Sequence, residues 1–249
     1  MQSLRSLGPA SVVVVSVLGL AAPASSADVE VSVVDFKFVP PVIAVEAGDN
    51  VTWTNNGHAP HDSVSGKPED PNPGQLWDSG LLLPRDSFSR TFDASDTSDY
   101  FCSYHPTQMF GKVYVNGTGV QGTMIPTDTT ISAGSKIDTT VFLLNFTGGS
   151  QAINVQVKVR TPQGQMKTVI NKDLSLGPNA RLNRALTIVL PNGLPNGMYH
   201  LILEVRDSGG NVVSTDDDIY NKFVLGGEPA SLQGLRAESP NAAWHHDQN

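Results

Sequence analysis

The most constraining feature of the sequence is the stretch YFCSYHPTQMFGKVYV, residues 100–115, which holds the only cysteine of the chain. Cys102 is followed by His105 and Met109, so a thiol, an imidazole and a thioether lie within eight residues. The flanking segments alternate aromatic or β-branched residues with polar ones, which is typical of β-strands. The sequence therefore predicts a tight loop between two strands, whose donor atoms suit copper that cycles between Cu(I) and Cu(II).

A complete copper site needs a further ligand from elsewhere, and the segment VTWTNNGHAPHDSVSG, residues 51–66, offers one. His61 follows Pro60 at the start of a predicted strand. Pro60 fixes its own φ and restricts the residue before it, so the backbone that delivers the imidazole is stiff. Two histidines, one cysteine and a weak axial methionine form a type 1, or blue, copper site. We therefore predict one copper ion bound by His61, Cys102, His105 and Met109.

Residues 35–116 resemble a cupredoxin domain of the plastocyanin/amicyanin/halocyanin kind. The resemblance rests on the motifs APH (59–61), LWDSGLLLPRDSFSRTF (76–92), YFCSYHP (100–106) and MFGKV (109–113). It implies a Greek-key β-sandwich that carries single electrons. In such a domain the two histidines and Cys102 are equatorial ligands, and Met109, two residues before Gly111, is the axial one.

Three neighbouring residues bear on this assignment. Gln108 is an alternative axial ligand, as glutamine is in some relatives, although the fixed offset from Gly111 favours Met109. Asp62 stands where relatives often have Asn or Thr, and the resemblance implies that its backbone N–H reaches the cysteine sulfur. His58 lies in the soft turn NNGHAP, so we expect it to be exposed to solvent and not to bind metal.

Residues 1–27 have the three parts of a secretory signal peptide. They are the charged Arg5, an apolar run over residues 12–22 and the small residues SSA at 25–27. The apolar run is short for a bilayer span, so we expect cleavage after Ala27, with an uncleaved anchor as the alternative. Because no later segment reaches transmembrane length, the mature protein is predicted to be periplasmic or extracellular without a membrane span.

The whole chain has the pattern of an all-β protein. Short alternating segments recur between turn residues, and long amphipathic helical windows are absent. At 249 residues, the length suits two domains. We predict a cupredoxin domain over residues 28–119, an immunoglobulin-like β-sandwich over 120–226 and a disordered polar tail over 227–249.

Charge is distributed unevenly between the two predicted domains. Residues 28–117 contain 13 acidic and five basic residues, a formal charge of −8, whereas residues 121–226 contain eight acidic and nine basic residues. The acidic copper domain is a poor partner for nucleic acid or anionic membranes and a good one for a basic redox protein. Tyr104, Pro106 and Phe110 flank His105 and predict an apolar patch for brief docking.

These features together predict an exported carrier of single electrons that is not an enzyme. Copper oxidases and nitrite reductases need additional histidine clusters, and a binuclear copper site needs a second cysteine; the sequence has neither. Two other classes stay open. One is a copper-binding or storage protein without electron transfer, and the other is a cell-surface adhesion protein with a copper module attached.

Overall fold

The computed structural model of the protein describes residues 26–94, 96–132, 136–190, 195–223 and 236–238. Within these ranges all the regular secondary structure is β-strand, which confirms the predicted all-β fold class. These ranges contain no helix that is long and apolar enough to cross a membrane. The predicted signal peptide lies outside the described residues except for its last two positions.

The N-terminal domain is a sandwich of two four-stranded sheets. Its strands are β1 Asp28–Val34, β2 Lys37–Val39, β3 Val42–Val45, β4 Asn50–Asn55, β5 Val64–Ser65, β6 Ser87–Thr91, β7 Ser98–Phe101 and β8 Phe110–Val115. One sheet has the order β2-β1-β4-β6 and the other β3-β8-β7-β5. The pairs β1–β4 and β3–β8 are parallel and the others antiparallel. The chain therefore crosses between the sheets, as the predicted Greek-key sandwich requires.

An aromatic core fills this sandwich directly below the predicted ligand loop. Strand β4 alternates strictly, so that Val51 and Trp53 point inward. The ring of Trp53 stacks on Trp77 with centroids 5.6 Å apart and meets Tyr100 edge-on at 5.7 Å. Such pairs add to the stabilisation that burial provides. Cys102 belongs to the same cluster of buried residues, so the loop rests on the packed core.

The second domain is a larger two-sheet sandwich. Its strands are β9 Val120–Pro126, β10 Thr130–Ser132, β11 Lys136–Asn145, β12 Gln151–Arg160, β13 Met166–Leu176, β14 Arg181–Val189, β15 Gly197–Asp207, β16 Val212–Phe223 and β17 Arg236–Glu238. The sheet β10-β16-β15-β12-β13 packs on the sheet β17-β14-β11-β9. Inward-facing aliphatic residues such as Val155, Val157 and Leu203 are fully buried between the sheets.

The predicted tail, residues 227–249, is described by the structure only at residues 236–238. Residues 236–238 form β17, which pairs antiparallel with β14. The edge of β14 offers unpaired backbone donors and acceptors, which β17 pairs with. The polar composition of the tail does not indicate such a long-range pairing. The other residues of the predicted tail lie outside the described ranges.

Gly111 permits a close approach between β7 and β8. It pairs with Tyr100, and a Cβ atom at residue 111 would lie 2.2 Å from Cζ of that fully buried ring. A methyl group therefore cannot be accommodated unless the aromatic core shifts. The same close approach holds the C-terminal end of the ligand loop against the core.

We predict that Gly111→Ala destabilises the protein by about 1–3 kcal/mol, because it overpacks the core. Urea unfolding of the copper-free protein measures this free energy. Gly148→Ala is a matched control, since a Cβ there meets no atom within 4 Å, and we expect it to change stability by less than about 0.5 kcal/mol. Equal stabilities of the two variants would contradict this account of the packing.

Candidate metal centre

Three donor atoms from two distant segments converge at one end of the N-terminal sandwich. The Nδ1 atom of His61 lies 3.8 Å from Sγ of Cys102, and Nδ1 of His105 lies 3.5 Å from the same sulfur. One ligand atom from each of the three residues lies within 4.8 Å of the other two. The fold therefore brings together three of the four residues that the sequence predicts as ligands, although His61 and Cys102 are 41 positions apart in the sequence.

A rigid turn before His61 positions its imidazole. His61 and Leu82 form a short antiparallel bridge, with N–H···O distances of 3.1 and 2.8 Å. The buried side-chain amide of Asn55 donates to the carbonyls of Leu82 and Ala59, both at 2.9 Å, and accepts the N–H of Gly57 at 2.9 Å. Asn55 was not among the predicted site residues, although its place at the end of a strand before a turn was an available signal.

Asp35 supports the same turn from the β1–β2 connection. Its carboxylate accepts the backbone N–H of His58 at 2.8 Å, the ring of His58 and the N–H of Ala59. These hydrogen bonds lower the pKa of Asp35 to about 2. His58 itself is exposed, as predicted, and its ring points to Asp35. The sequence analysis assigned no role to Asp35.

The imidazole of His61 is buried, which disfavours its protonated form. Burial lowers its pKa, and the nearby His105 acts in the same direction, against the opposing effect of Asp35. Among the described residues its Nε2 has no hydrogen-bond partner, since Oδ1 of Asp35 is 3.8 Å away. A neutral imidazole keeps the lone pair that metal binding needs.

Cys102 is completely buried at the centre of the cluster. Burial raises the pKa of its thiol to about 11, because a bare thiolate is poorly solvated there, while backbone N–H groups of Asp62 and Tyr104 act in the opposite direction. Without a cation the thiol therefore keeps its proton at neutral pH. A bound metal ion replaces that proton and compensates the buried negative charge.

The carboxylate of Asp62 ties the two ligand-bearing segments together. It accepts the backbone N–H of Ser103 at 2.6 Å and the hydroxyl of the same residue. Because Asp62 adjoins His61 and Ser103 adjoins Cys102, these bonds fix the distance between the two ligands. The resemblance marks Asp62 as a departure from the family pattern, and its side chain accepts hydrogen bonds from both the N–H and the hydroxyl of Ser103.

Met109 closes the loop and lies inside the core. Its backbone N–H donates to the carbonyl of His105 at 3.1 Å, and its own carbonyl accepts the N–H of Cys102 at 3.1 Å. The Met109 side chain is fully buried in the same cluster as Cys102, whereas Gln108 is exposed. Burial therefore favours Met109 over Gln108 as the fourth ligand.

His105 is half-buried, and the surface next to it includes a residue that the sequence did not predict. The ring of Phe36, which is 49% exposed, meets the His105 ring edge-on at 4.9 Å, and the exposed Tyr104 adjoins it in sequence. Phe110, which the sequence predicts on this patch, is half-buried like His105 and also lines a cavity with Ile125 of the second domain. The sequence of the loop alone does not show that the second domain lies beside Phe110.

The donor set fits copper. Among the described residues, the group of donors that converges consists of two imidazole nitrogens and a buried thiol sulfur, and a buried thioether lies in the same loop. Such soft and borderline donors select copper, whereas harder ions prefer oxygen ligands. The sandwich and this cluster define a β-domain built to hold a soft metal ion.

Comparisons with known proteins agree. Residues 25–116 match the family model for copper binding proteins of the plastocyanin/azurin family. The chain is 35% identical over 120 residues to the chloroplastic plastocyanin of Tetradesmus obliquus, an alignment that covers 45% of this chain and 83% of that protein. It is 37% identical over 94 residues to amicyanin-alpha of Methylorubrum extorquens, which covers 38% of this chain and 75% of that protein.

A solved structure is also similar to this chain. The amicyanin of Paracoccus versutus is 30% identical, and the match covers 38% of this chain and 85% of that one with a TM-score of 0.31. On the sequence relatives, the chain belongs to the plastocyanin/azurin family of copper-binding proteins. This confirms the cupredoxin resemblance.

We predict that Asp62→Ala destabilises the copper-free protein by about 1–3 kcal/mol, because it leaves the Ser103 N–H without its acceptor. Asp62→Asn keeps one oxygen acceptor, so we expect it to lower the stability of the copper-free protein clearly less than Asp62→Ala does. Urea unfolding of the two variants measures the difference. If both variants match the wild type, the Asp62–Ser103 contact does not hold the two ligand segments together.

Proposed function

We propose that the protein is an exported carrier of single electrons with one type 1 copper ion held by His61, Cys102, His105 and Met109. The observation that carries this proposal is the convergence of two imidazoles and one fully buried thiol within 4.8 Å. When bound, copper supplies a one-electron couple whose thiolate bond gives intense colour. Family membership supports copper binding, and the plastocyanins and amicyanins among the relatives support a carrier function.

The protein's contribution is to hold the ligands nearly fixed in both oxidation states. The turn around Asn55, the Asp62–Ser103 contact and the closed 102–109 loop constrain the ligand segments by hydrogen bonds that do not involve a metal. The packed aromatic core below the loop resists displacement. A site that changes little between Cu(I) and Cu(II) lowers the reorganisation that each electron transfer requires.

Electrons enter and leave through the half-exposed ring of His105 in this proposal. Phe36 and Tyr104 supply exposed apolar surface next to it. Phe36 has a φ of 64°, which is unusual for a bulky residue, and this conformation places its ring against the ligand. A small apolar contact of this kind favours brief docking over a tight interface.

The proposed partner is a basic redox protein. The N-terminal domain carries a formal charge of −8 over residues 28–117, and opposite charge on the partner accelerates encounter by long-range attraction. The proposed location is outside the cytoplasm, in line with the signal-like segment at residues 1–27. The proposed role is electron transfer between proteins and not the turnover of a substrate.

The copper assignment is tested by adding Cu(II) to the purified mature protein and recording visible and electron paramagnetic resonance spectra. We expect one copper per chain, an intense blue or purple colour and reversible loss of colour on reduction. Cys102→Ser should abolish the colour because the thiolate is removed. A colourless wild type with bound Cu(II) would refute the type 1 site, and a coloured site that cannot be cycled would indicate copper storage.

The same spectra distinguish the two axial candidates. Met109→Leu should retain copper and colour but raise the reduction potential, because a donor to Cu(II) is lost. Gln108→Ala is the matched control and should leave the spectrum and the potential unchanged, since Gln108 is exposed. If the spectrum or the potential changes only in the Gln108→Ala variant, Gln108 and not Met109 is the axial ligand.

We predict that electron transfer to a basic cytochrome slows as salt is raised, because salt screens charges beyond about 8 Å at physiological ionic strength. Phe36→Asn should slow transfer at every salt concentration, since it removes the apolar contact; asparagine tolerates the positive φ. Val212→Asn, at an exposed site in the second domain, is the control. Stopped-flow oxidation of the reduced protein measures these rates. A transfer rate that does not change with salt would exclude long-range electrostatic attraction between the partners. An unchanged rate in the Phe36→Asn variant would show that electrons do not leave through the surface beside Phe36.

A further inference from the structure

The second domain makes a direct backbone contact with the ligand loop. The N–H of Thr129, in the turn between β9 and β10, donates to the carbonyl of Thr107 at 2.8 Å. Thr107 lies midway between His105 and Met109. Other loop carbonyls are used within the loop, since those of Cys102, His105 and Met109 accept loop N–H groups. Thr129 thus anchors the loop from outside the N-terminal domain.

The turn that presents Thr129 is itself organised. The carboxylate of Asp128 accepts the N–H of Thr130 at 2.7 Å, an arrangement that fixes the backbone of a turn. The N–H of Thr127 donates to the carbonyl of Asp138 on β11 at 3.0 Å. The donor at Thr129 is therefore held in place by the second domain before it meets the loop.

Side-chain packing extends the contact to the residue after Met109. Phe110 lines a cavity of about 30 Å³ together with Ile125, Pro126 and Thr129. Farther from the loop, a cluster of apolar residues spans both domains. It contains Val42, Ala44 and Tyr114 of the first domain and Ile125, Phe142, Leu144 and Phe146 of the second.

Ion pairs between lysines of the first domain and aspartates of the second connect the two domains beside this cavity. Nζ of Lys67 lies 3.1 Å from Oδ1 of Asp218 and 3.8 Å from Oδ1 of Asp216. Nζ of Lys112, on β8, lies 2.9 Å from Asp99 and 4.0 Å from Asp216. Asp216 and Asp218 are buried, and buried carboxylates that lose their cation are costly. The cluster therefore resists separation of the domains.

The electrostatics of Lys67 agree with a persistent contact. Burial by itself acts to lower the pKa of Lys67, but the charges of Asp218, Asp99 and Asp216 outweigh it and raise the pKa. The lysine therefore stays charged throughout the physiological range of pH. The remaining oxygen of Asp216 accepts the N–H of Met124 and the hydroxyl of Thr123, which joins the ion cluster to β9.

From this geometry we propose that the second domain braces the ligand loop and that Thr129 is a positioning residue for His105 and Met109. The brace acts through the backbone of Thr107 and fixes the loop before metal is bound. It also covers the Phe110 flank, so that partners reach His105 from the side of Phe36. This inference rests on the proposed role of the loop as a copper site.

The test uses the full-length, copper-free protein and measures amide hydrogen exchange of Gln108 and Met109, whose N–H groups both donate to the His105 carbonyl. Thr129→Pro removes the donor and should accelerate this exchange roughly tenfold, the factor that corresponds to about 1.4 kcal/mol and is of the order of one hydrogen bond. Thr129→Ala keeps the backbone N–H and should leave the exchange unchanged. Amides of β11 report whether each variant remains folded.

A second pair of variants serves in case Thr129→Pro does not fold. Asp128→Ala frees the turn and should accelerate the exchange of Gln108 and Met109 roughly threefold, whereas Asp128→Asn keeps the acceptor oxygen and should match the wild type. Wild-type exchange in a folded Thr129→Pro variant would overturn the brace. If that variant is unfolded, equal exchange in the two Asp128 variants would overturn it.

The copper-loaded protein separates this inference from the proposed function. If the brace and the copper site both hold, the visible spectrum should shift in Thr129→Pro and not in Thr129→Ala. Faster exchange in the Thr129→Pro variant, together with a colourless copper-loaded wild type, would support the brace and refute the type 1 copper assignment. Unchanged exchange with a blue wild type would refute the brace alone.

Discussion

Three donor atoms converge at one point of the fold, and two of them belong to buried side chains. A buried thiol and a buried imidazole with an unpaired ring nitrogen would weaken an ordinary core, because buried polar groups without partners cost free energy. Here the neighbouring backbone is constrained so that the donors face one another. The surrounding contacts hold the donor atoms in this arrangement. A bound copper ion would supply the partner that these donor atoms lack.

Those contacts come from residues that do not bind the metal. Asn55 organises the turn before His61, Asp35 accepts the amides of that turn, and Asp62 joins the two ligand segments through Ser103. Each is a short polar side chain that replaces a missing backbone partner. The rigidity of the site therefore resides in hydrogen bonds that are present without metal, and a preformed site suits a carrier that must change little between two oxidation states.

The second domain adds a constraint that a single cupredoxin domain lacks. Its β9–β10 turn reaches the ligand loop at Thr107, and its aspartates pair with lysines of the first domain. As a result the loop is held from below by the aromatic core and from one side by a second sandwich. Phe36 borders the half-buried ring of His105, while Phe110, which follows Met109, lines the cavity shared with the second domain.

Local sequence patterns were enough to predict the set of donor residues and the all-β fold class. The spacing of Cys102, His105 and Met109 is local, and alternation along strands is a property of short segments, so both can be read without coordinates. The role of Asn55, the contact of Phe36 with His105 and the pairing of residues 236–238 with β14 are visible only in the folded chain. Each depends on a partner many residues away, and a linear pattern does not state which surfaces will meet when the chain packs.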